Sequence, residues 1–215
     1  MTTHDHVARM DRIYRPQRWV YDPLRRFFLI GRDLLLERLE AAPGDRVLEI
    51  GCGTARNLIR LHRRRPGVRL YGLDASTAML KTARAKLRRR GLERTIELRH
   101  GLAEELDPGA DSGLGEPFDA VFFSYSLTMI PAWRKALDAA VAALRPGGGL
   151  YVVDFWDQAE LPGWLRRLIQ AWLARFHVRF RPDTLDHLGR LAGPAALHLE
   201  PLWRRYAYFA GLRRP

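Results

Sequence analysis

From Asp45 onward, the chain alternates short apolar runs with amphipathic stretches. Short apolar runs are typical of buried strands, and apolar residues spaced three or four apart are typical of helices. Strands alternating with helices indicate βαβ units, so we expect a mostly parallel sheet with helices on both faces. The predicted strands are 46–50, 68–73, 96–99, 120–124 and 150–155, and the predicted helices are 57–64, 77–90 and 132–144.

The last third of the chain has a different order of elements. A helix is predicted over 161–175, with Trp164, Leu168 and Trp172 among the apolar residues on one face. A second helix over 183–191 precedes apolar segments at 197–202 and 205–212, which can close the sheet as a final strand pair. Segments 107–117 and 145–149 are rich in Gly, Pro and Asp or Arg and are predicted as turns or loops.

The N-terminal region before the first strand is predicted as a helical arm over residues 1–40. Pro16 interrupts its apolar pattern, and Asp22 followed by Pro23 is typical of a new helix start, so Tyr21 should lie near a joint between two helical pieces. At 215 residues the chain suits a single domain. That domain would comprise the arm, a core over 45–155, and a C-terminal part over 156–215.

Composition and charge limit the classes of partner and site. The net charge is +12, which suits an anionic partner such as nucleic acid or a membrane surface, although a high arginine content can also reflect genome composition. The single cysteine, Cys52, excludes an internal disulfide, and the histidines form no metal-ligating cluster, so no metal is expected. No secretory signal or bilayer-spanning run is present, which favours a cytoplasmic protein.

A Gly-x-Gly turn between the first strand and the first core helix is the main candidate site. Such a turn lets a ligand approach the backbone and the amides at a helix start, but Arg56 replaces the third glycine of the dinucleotide fingerprint. Glu49 at the strand end would repel a pyrophosphate and attract a cation. Asp74, which ends the next strand, can accept hydrogen bonds from ribose hydroxyls. The residues therefore favour a cationic adenosyl cofactor.

Four ordered motifs resemble those of class I S-adenosylmethionine-dependent methyltransferases: Glu49-Ile-Gly-Cys-Gly-Thr54, Gly72-Leu-Asp-Ala-Ser76, Phe118-Asp-Ala-Val-Phe-Phe123 and Leu144-Arg-Pro-Gly-Gly-Gly149. The resemblance implies a Rossmann-like α/β fold with a seven-stranded, mostly parallel sheet and a reversed last strand. It also implies S-adenosylmethionine as cofactor. The implied cofactor-binding residues are Glu49, Gly51, Cys52, Gly53, Thr54, Asn57, Asp74, Ala75, Ser76, Met79, Leu102, Ala103 and Ser124.

One segment departs from the pattern of that family. After the third strand the family often has Gly-Asp-Ala, with the aspartate on the adenine amine, whereas this chain has Gly101-Leu102-Ala103. A backbone contact from Leu102 or Ala103 could replace the side-chain contact. Recognition of adenine by an aspartate side chain is therefore not expected here.

The N-terminal arm resembles the opening of bacterial N-methyltransferases that make betaine lipids, through Met10-Asp-Arg-Ile-Tyr14-Arg-Pro-Gln-Arg18-Trp-Val-Tyr21 and Arg25 to Asp33. Those enzymes convert diacylglyceryl-homoserine to its trimethylated form, and related enzymes act on phosphatidylethanolamine. The resemblance implies that the arm closes over the cofactor, with Tyr14 and Tyr21 as catalytic candidates and Arg18 and Arg32 as substrate-binding candidates.

Physical chemistry is compatible with a lipid amine as the substrate. Methyl transfer to a neutral nitrogen needs orientation and a dry site more than a strong base. Aromatic faces such as Tyr125 and Trp156 can hold the quaternary ammonium product, and arginines such as Arg179 can bind a carboxylate or phosphate. Ordinary core packing is the alternative for each aromatic residue.

Several functions stay open at this point. Ser124-Tyr125-Ser126-Leu127 lacks the Asn/Asp-Pro-Pro-aromatic signature of base methyltransferases, so no nucleic acid is expected. A methyltransferase of a soluble small molecule or quinone, or a cofactor-binding protein without turnover, would share the same core. Charge and the helix over 161–175 favour peripheral association with the inner face of the cytoplasmic membrane. A partner protein that supplies the amine lipid is compatible with this interpretation.

Overall fold

The computed structural model describes residues 28–106, 115–175, 178, 180–193 and 197–215. The helices are α1 (Arg32–Arg38), α2 (Arg56–Arg64), α3 (Thr77–Arg88), α4 (Trp133–Ala142), α5 (Gly163–Ala174) and α6 (Asp183–Ala192). The strands are β1 (Arg46–Ile50), β2 (Arg69–Asp74), β3 (Ile96–His100), β4 (Phe118–Ser124), β5 (Leu144–Phe155), β6 (His198–Leu202) and β7 (Ala207–Arg213). Tyr14, Arg18, Tyr21 and Arg179 lie outside the described residues, as do the predicted helix start at Asp22 and residues 107–114 of the predicted loop.

The seven strands form one sheet in the order β3-β2-β1-β4-β5-β7-β6. Strands β1 to β5 pair in parallel, and β7 pairs antiparallel with both β5 and β6. This confirms the predicted seven-stranded sheet with its reversed strand. Because β1 lies between β2 and β4, the carboxyl ends of these three strands meet at one edge of the sheet, where ligands of open α/β sheets bind.

Alternate residues of each strand supply two apolar cores, one on each face of the sheet. Helices α1, α2, α3 and α5 pack on the face that includes Val47 and Phe122. Helices α4 and α6 pack on the face that includes Leu48 and Phe123. None of the described helices is long and apolar enough to cross a membrane.

Strand β5 begins earlier than the sequence predicts. The Arg145–Gly149 segment was predicted as a turn but lies within β5, where the pairing with β4 jumps from Phe118↔Leu144 to Ala120↔Gly149. The extra residues form a bulge, and Gly147 within it has a φ of +74° and donates its N–H to the carbonyl of Arg214. The segment therefore has the composition of a turn, but it lies within a strand and forms a hydrogen bond with Arg214.

Candidate active site

The turn after β1 needs glycine at its first position. Gly51 has a φ of +74°, and a Cβ added there would lie 2.4 Å from the Cβ of Ser126. The backbone N–H groups of Gly51 and Cys52 both donate to the carbonyl of Leu73, at 2.8 and 3.1 Å. The turn is therefore held against the end of β2, with Ser126, two residues after β4, directly beneath it.

Replacing Gly51 by alanine should destabilise the protein more than replacing Gly53. Both glycines have positive φ, which costs an alanine roughly 1–2 kcal/mol, but a Cβ at Gly53 meets no atom within 4 Å. The added overlap at Gly51 should cost about 1–3 kcal/mol more. Urea unfolding of the two variants measures this difference, and equal losses of stability would contradict the packing of Ser126 under the turn.

Asp74 connects the turn to the start of α3. Its two carboxylate oxygens accept hydrogen bonds from the backbone N–H of Gly53 (2.7 Å) and of Ser76 (2.8 Å). A carboxylate has about four acceptor positions, so the same oxygens retain capacity for a ligand's hydroxyl groups. Asp74 thus shapes the turn in addition to the ribose contact that the resemblance implies.

Glu49 is a buried carboxyl group in the wall of the same cavity. Its Oε1 accepts a hydrogen bond from Nδ2 of Asn57 at 2.7 Å. Burial raises the pKa of Glu49 from 4.5 to about 8, with Asp74 adding to the shift, while Asn57 and Arg32 act in the opposite direction. Without a ligand, Glu49 therefore holds a proton near neutral pH. A cation placed beside it would favour the ionised form.

Two buried polar atoms of the cavity wall have no hydrogen-bond partner within the described part of the chain: Oε2 of Glu49 and Oγ of Ser124. Buried polar atoms are normally paired, so unpaired ones in a cavity wall indicate a polar ligand. S-adenosylmethionine carries an ammonium group and hydroxyl groups that can donate to such atoms. The residues present therefore fit this cofactor, with Glu49 and Ser124 as acceptors and Asp74 at the ribose.

Another part of the cavity wall is the segment after β4, which a buried carboxylate positions. Asp154 accepts hydrogen bonds from the backbone N–H and the hydroxyl of Thr128, at 3.0 and 2.8 Å. Burial raises the pKa of Asp154 to about 6. Tyr125, predicted to bind substrate, lines the cavity but donates its hydroxyl to the carbonyl of Ile30. The phenol thereby ties this segment to the residues before α1.

Twelve of the thirteen residues predicted to bind cofactor line one cavity at the carboxyl edge of the sheet: Glu49, Gly51, Cys52, Gly53, Thr54, Asn57, Asp74, Ala75, Met79, Leu102, Ala103 and Ser124. Ser76 instead caps α3, accepting the N–H of Met79. Their roles in binding stay predictions. Arg32 also lines the cavity, as predicted for a substrate-binding residue.

Trp156 is not among the described residues that line this cavity. It packs against Tyr208 at 6.0 Å between ring centroids and under the guanidinium of Arg205, and it lines a separate pocket beside α5. Trp156 follows Phe155, which packs on Tyr125 on the other face of the sheet. Because consecutive side chains along a strand alternate between faces, the Trp156 ring packs in the core beneath α4 and α6, and the structure does not bring it to the cavity with the other predicted residues.

The sequence interpretation missed part of the cavity wall. Ser126 lies under Gly51 and donates its hydroxyl to the carbonyl of Ile50 at 2.7 Å. The order of the strands could have indicated this contact, because the residues after β4 must reach the edge beside β1. The other lining residues that were missed are Leu29, Ile50, Arg56, Leu73, Gly101, Glu104, Met129, Ile130 and Pro131.

The sequence is similar to a methyltransferase domain model and to curated methyltransferases. Residues 47–148 match the model described as "Methyltransferase domain". A demethylmenaquinone methyltransferase of Thermus thermophilus is 35% identical over 63% of this chain and 60% of its own length. A phosphatidylethanolamine N-methyltransferase of Cereibacter sphaeroides is 34% identical over 63% of this chain and 61% of its own. The chain thus spans about three fifths of the length of these curated relatives.

A solved structure with the same fold comes from Haemonchus contortus. Its phosphoethanolamine N-methyltransferase 2, in complex with phosphomonomethylethanolamine and S-adenosylhomocysteine, has a TM-score of 0.70 at 15% identity. The match covers 86% of this chain and 52% of that one. Residues 47–148 therefore match a methyltransferase domain, and the sheet around them has the same fold as this solved methyltransferase.

Proposed function

We propose that the chain is an S-adenosylmethionine-dependent N-methyltransferase that acts on the amine of a lipid headgroup. The observation that carries the proposal is the distribution of charge in the cavity wall. Arg32 and Arg56 line the same cavity as Glu49 and Asp74, and both arginines act electrostatically on Glu49. With the two carboxylates assigned to the cofactor, the guanidinium groups can bind the carboxylate or phosphate of a headgroup that also carries the amine.

The arginines also extend the site away from the cofactor cavity. Arg32 and Arg56 line a second, adjoining pocket together with Arg60, whose guanidinium pairs with Asp33 in the same wall. Guanidinium groups bind carboxylates and phosphates well, because their planar donors match two acceptor oxygens. An acidic headgroup could therefore lie in the second pocket while its amine faces the cofactor cavity.

The chemistry required of the protein is modest. When bound, the cofactor supplies an electrophilic methyl group, which the lone pair of a neutral amine can take. The first two transfers release one proton each, and the third, to a tertiary amine, releases none and leaves a quaternary ammonium. The chain must then orient the amine and keep water away. Leu29, Met129, Ile130 and Pro131 give part of the cavity an apolar wall suited to that task. Tyr14 and Tyr21 remain our candidates for contacting the amine.

The finer proposal is that the substrate is diacylglyceryl-homoserine, converted to diacylglyceryl-trimethylhomoserine, since the N-terminal arm resembles enzymes of that reaction. Phosphatidylethanolamine is the second candidate, supported by the relative from Cereibacter sphaeroides. A quinone precursor is the third, supported by the relative from Thermus thermophilus. Binding of the cofactor without turnover is the fourth.

One assay separates these candidates. The purified protein is incubated with methyl-labelled S-adenosylmethionine and, separately, with diacylglyceryl-homoserine, phosphatidylethanolamine, demethylmenaquinone and total RNA. We expect label in an amine lipid, with mass increases in steps of one methyl group, and no label when Asp74→Ala replaces the wild type. Label only in the quinone or in RNA, or in none of the four, would overturn the proposal.

A further inference from the structure

Five large apolar side chains are exposed in the described part of the chain: Phe28, Trp164, Leu168, Trp172 and Trp203. We call this set the apolar face. Trp164 and Leu168 are 67% and 62% exposed, and Trp172 follows at the same four-residue spacing along α5. Residues at this spacing share one side of a helix. Large exposed apolar patches mark sites of interaction with proteins or membranes.

Contacts between three chain segments hold the apolar face together. The ring of Phe28 packs on Trp172, with 4.8 Å between the ring centroids. The turn that carries Trp203 contacts the segment just before α5, because Nε of Arg204 donates a hydrogen bond to the carbonyl of Glu160 at 3.0 Å. The exposed side chains of α5, of the turn between β6 and β7, and of the segment before α1 therefore lie on the same side of the molecule.

Basic residues predominate around the apolar face, with Glu160 and Asp33 as acidic neighbours near its Trp203 end. Arg166, Arg167, Arg175 and Arg204 are exposed beside it. The sequence has no acidic residue between Glu160 and Asp183. Tryptophans flanked by arginines suit the boundary between the headgroups and acyl chains of an anionic bilayer. A second copy of this chain would place these arginines against one another.

The apolar face also adjoins the cofactor cavity. Phe28 belongs to the face, and the next residue, Leu29, lines the cavity. Leu29 also lines the adjoining pocket, whose wall includes Trp203. A surface that covers the face would therefore lie beside the entrances to both spaces.

We propose that the apolar face is a docking surface for an anionic bilayer leaflet, which presents the lipid amine to the cavity directly. This inference deepens the proposed function and rests on it. Docking through α5 and the β6–β7 turn keeps the acyl chains in the membrane, so that only the headgroup has to enter the site.

Vesicle flotation tests the docking surface. The full chain is mixed with phosphatidylcholine vesicles with or without phosphatidylglycerol, at low and high salt. We expect flotation with the anionic vesicles and weaker flotation at high salt. The double variant Trp164→Glu with Leu168→Glu should no longer float. Failure of the wild type to bind anionic vesicles would overturn the proposal.

A matched pair of variants separates this surface from the general effect of charge. Replacing both Arg166 and Arg167 by glutamine should weaken vesicle binding at least tenfold, since each basic residue near an anionic surface contributes about 1 kcal/mol. Replacing Arg88 and Arg89, at the end of α3, removes the same charge from a helix that packs near the other end of the sheet and should have a much smaller effect. Equal effects of the two pairs would contradict the proposal.

Two further readouts complete the test. Thermal unfolding and affinity for S-adenosylhomocysteine should be unchanged in the Trp164/Leu168 double variant, which shows that the variant is folded. A wild-type dimer that this variant converts to monomer would assign the face to a second copy and overturn the proposal. Vesicle binding without methylation of any amine lipid would retain the docking surface and refute the proposed function, so the two failures are distinguishable.

Discussion

Replacing Asp74 by alanine should lower the affinity for S-adenosylhomocysteine at least about 100-fold. The substitution removes the acceptor for the N–H groups of Gly53 and Ser76, which order the turn, as well as the proposed contacts to the ribose hydroxyls. Hydrogen bonds to a charged group contribute roughly 1.5–3 kcal/mol each, so two or more losses reach this magnitude. Isothermal titration calorimetry of the variant and the wild type measures the change.

Asp45 supplies a matched control for this variant. Its carboxylate also accepts a backbone hydrogen bond, from Ala42 at 2.7 Å, but Asp45 is not among the residues lining the cavity. Asp45→Ala should therefore lose a little stability and keep full affinity for S-adenosylhomocysteine. If Asp74→Ala bound the ligand as well as Asp45→Ala does, the placement of the cofactor beside β2 would be refuted.

Replacing Glu49 by glutamine should abolish the release of a proton that we expect when the wild type binds S-adenosylhomocysteine. With its pKa raised to about 8, Glu49 is mostly protonated at pH 7 in the free protein. The ligand's ammonium group beside it favours ionisation, so binding should release close to one proton per site. Titrations in buffers of different ionisation enthalpy count the protons. Equal proton release by Glu49→Gln and the wild type would exclude Glu49 as the group that ionises.

The same shift predicts a pH dependence of stability for the cofactor-free protein. Because the pKa of Glu49 is higher in the folded than in the unfolded chain, its favourable contribution is complete below about pH 4.5 and is lost as the pH rises to about 8. The shift at Asp154 acts in the same direction but is complete by about pH 6. The decline in stability between pH 6 and 8 should therefore be smaller in Glu49→Gln, as urea unfolding at several pH values would show.

The sequence predicted the elements of this site better than their contacts. The apolar run that ends at Ile50, followed by glycines, located β1 and the turn, because burial and backbone freedom are local properties of a sequence. The same logic placed Asp74 at the end of β2. Its bond to the N–H of Gly53 could not be predicted, because that contact depends on the pairing of β1 with β2 across 21 residues.

The errors have physical causes of the same kind. Trp156 follows β5 near the edge that carries the site, but its ring packs against Tyr208 in the core instead of lining the cavity. Ser126 was overlooked because only the three-dimensional sheet order brings it beneath Gly51. The bulge at Gly147 looks like a turn in sequence because a bulge and a turn use the same residues.

The central claim is that the cavity at the end of β1 binds an adenosyl cofactor that carries an ammonium group and no phosphate. Calorimetric titration of the wild type with S-adenosylhomocysteine and with NAD⁺ tests it most directly. We expect one site per chain for S-adenosylhomocysteine and no measurable binding of NAD⁺, whose pyrophosphate would meet Glu49 and Asp74. Binding of NAD⁺ in preference to S-adenosylhomocysteine, or binding of neither, would contradict the claim.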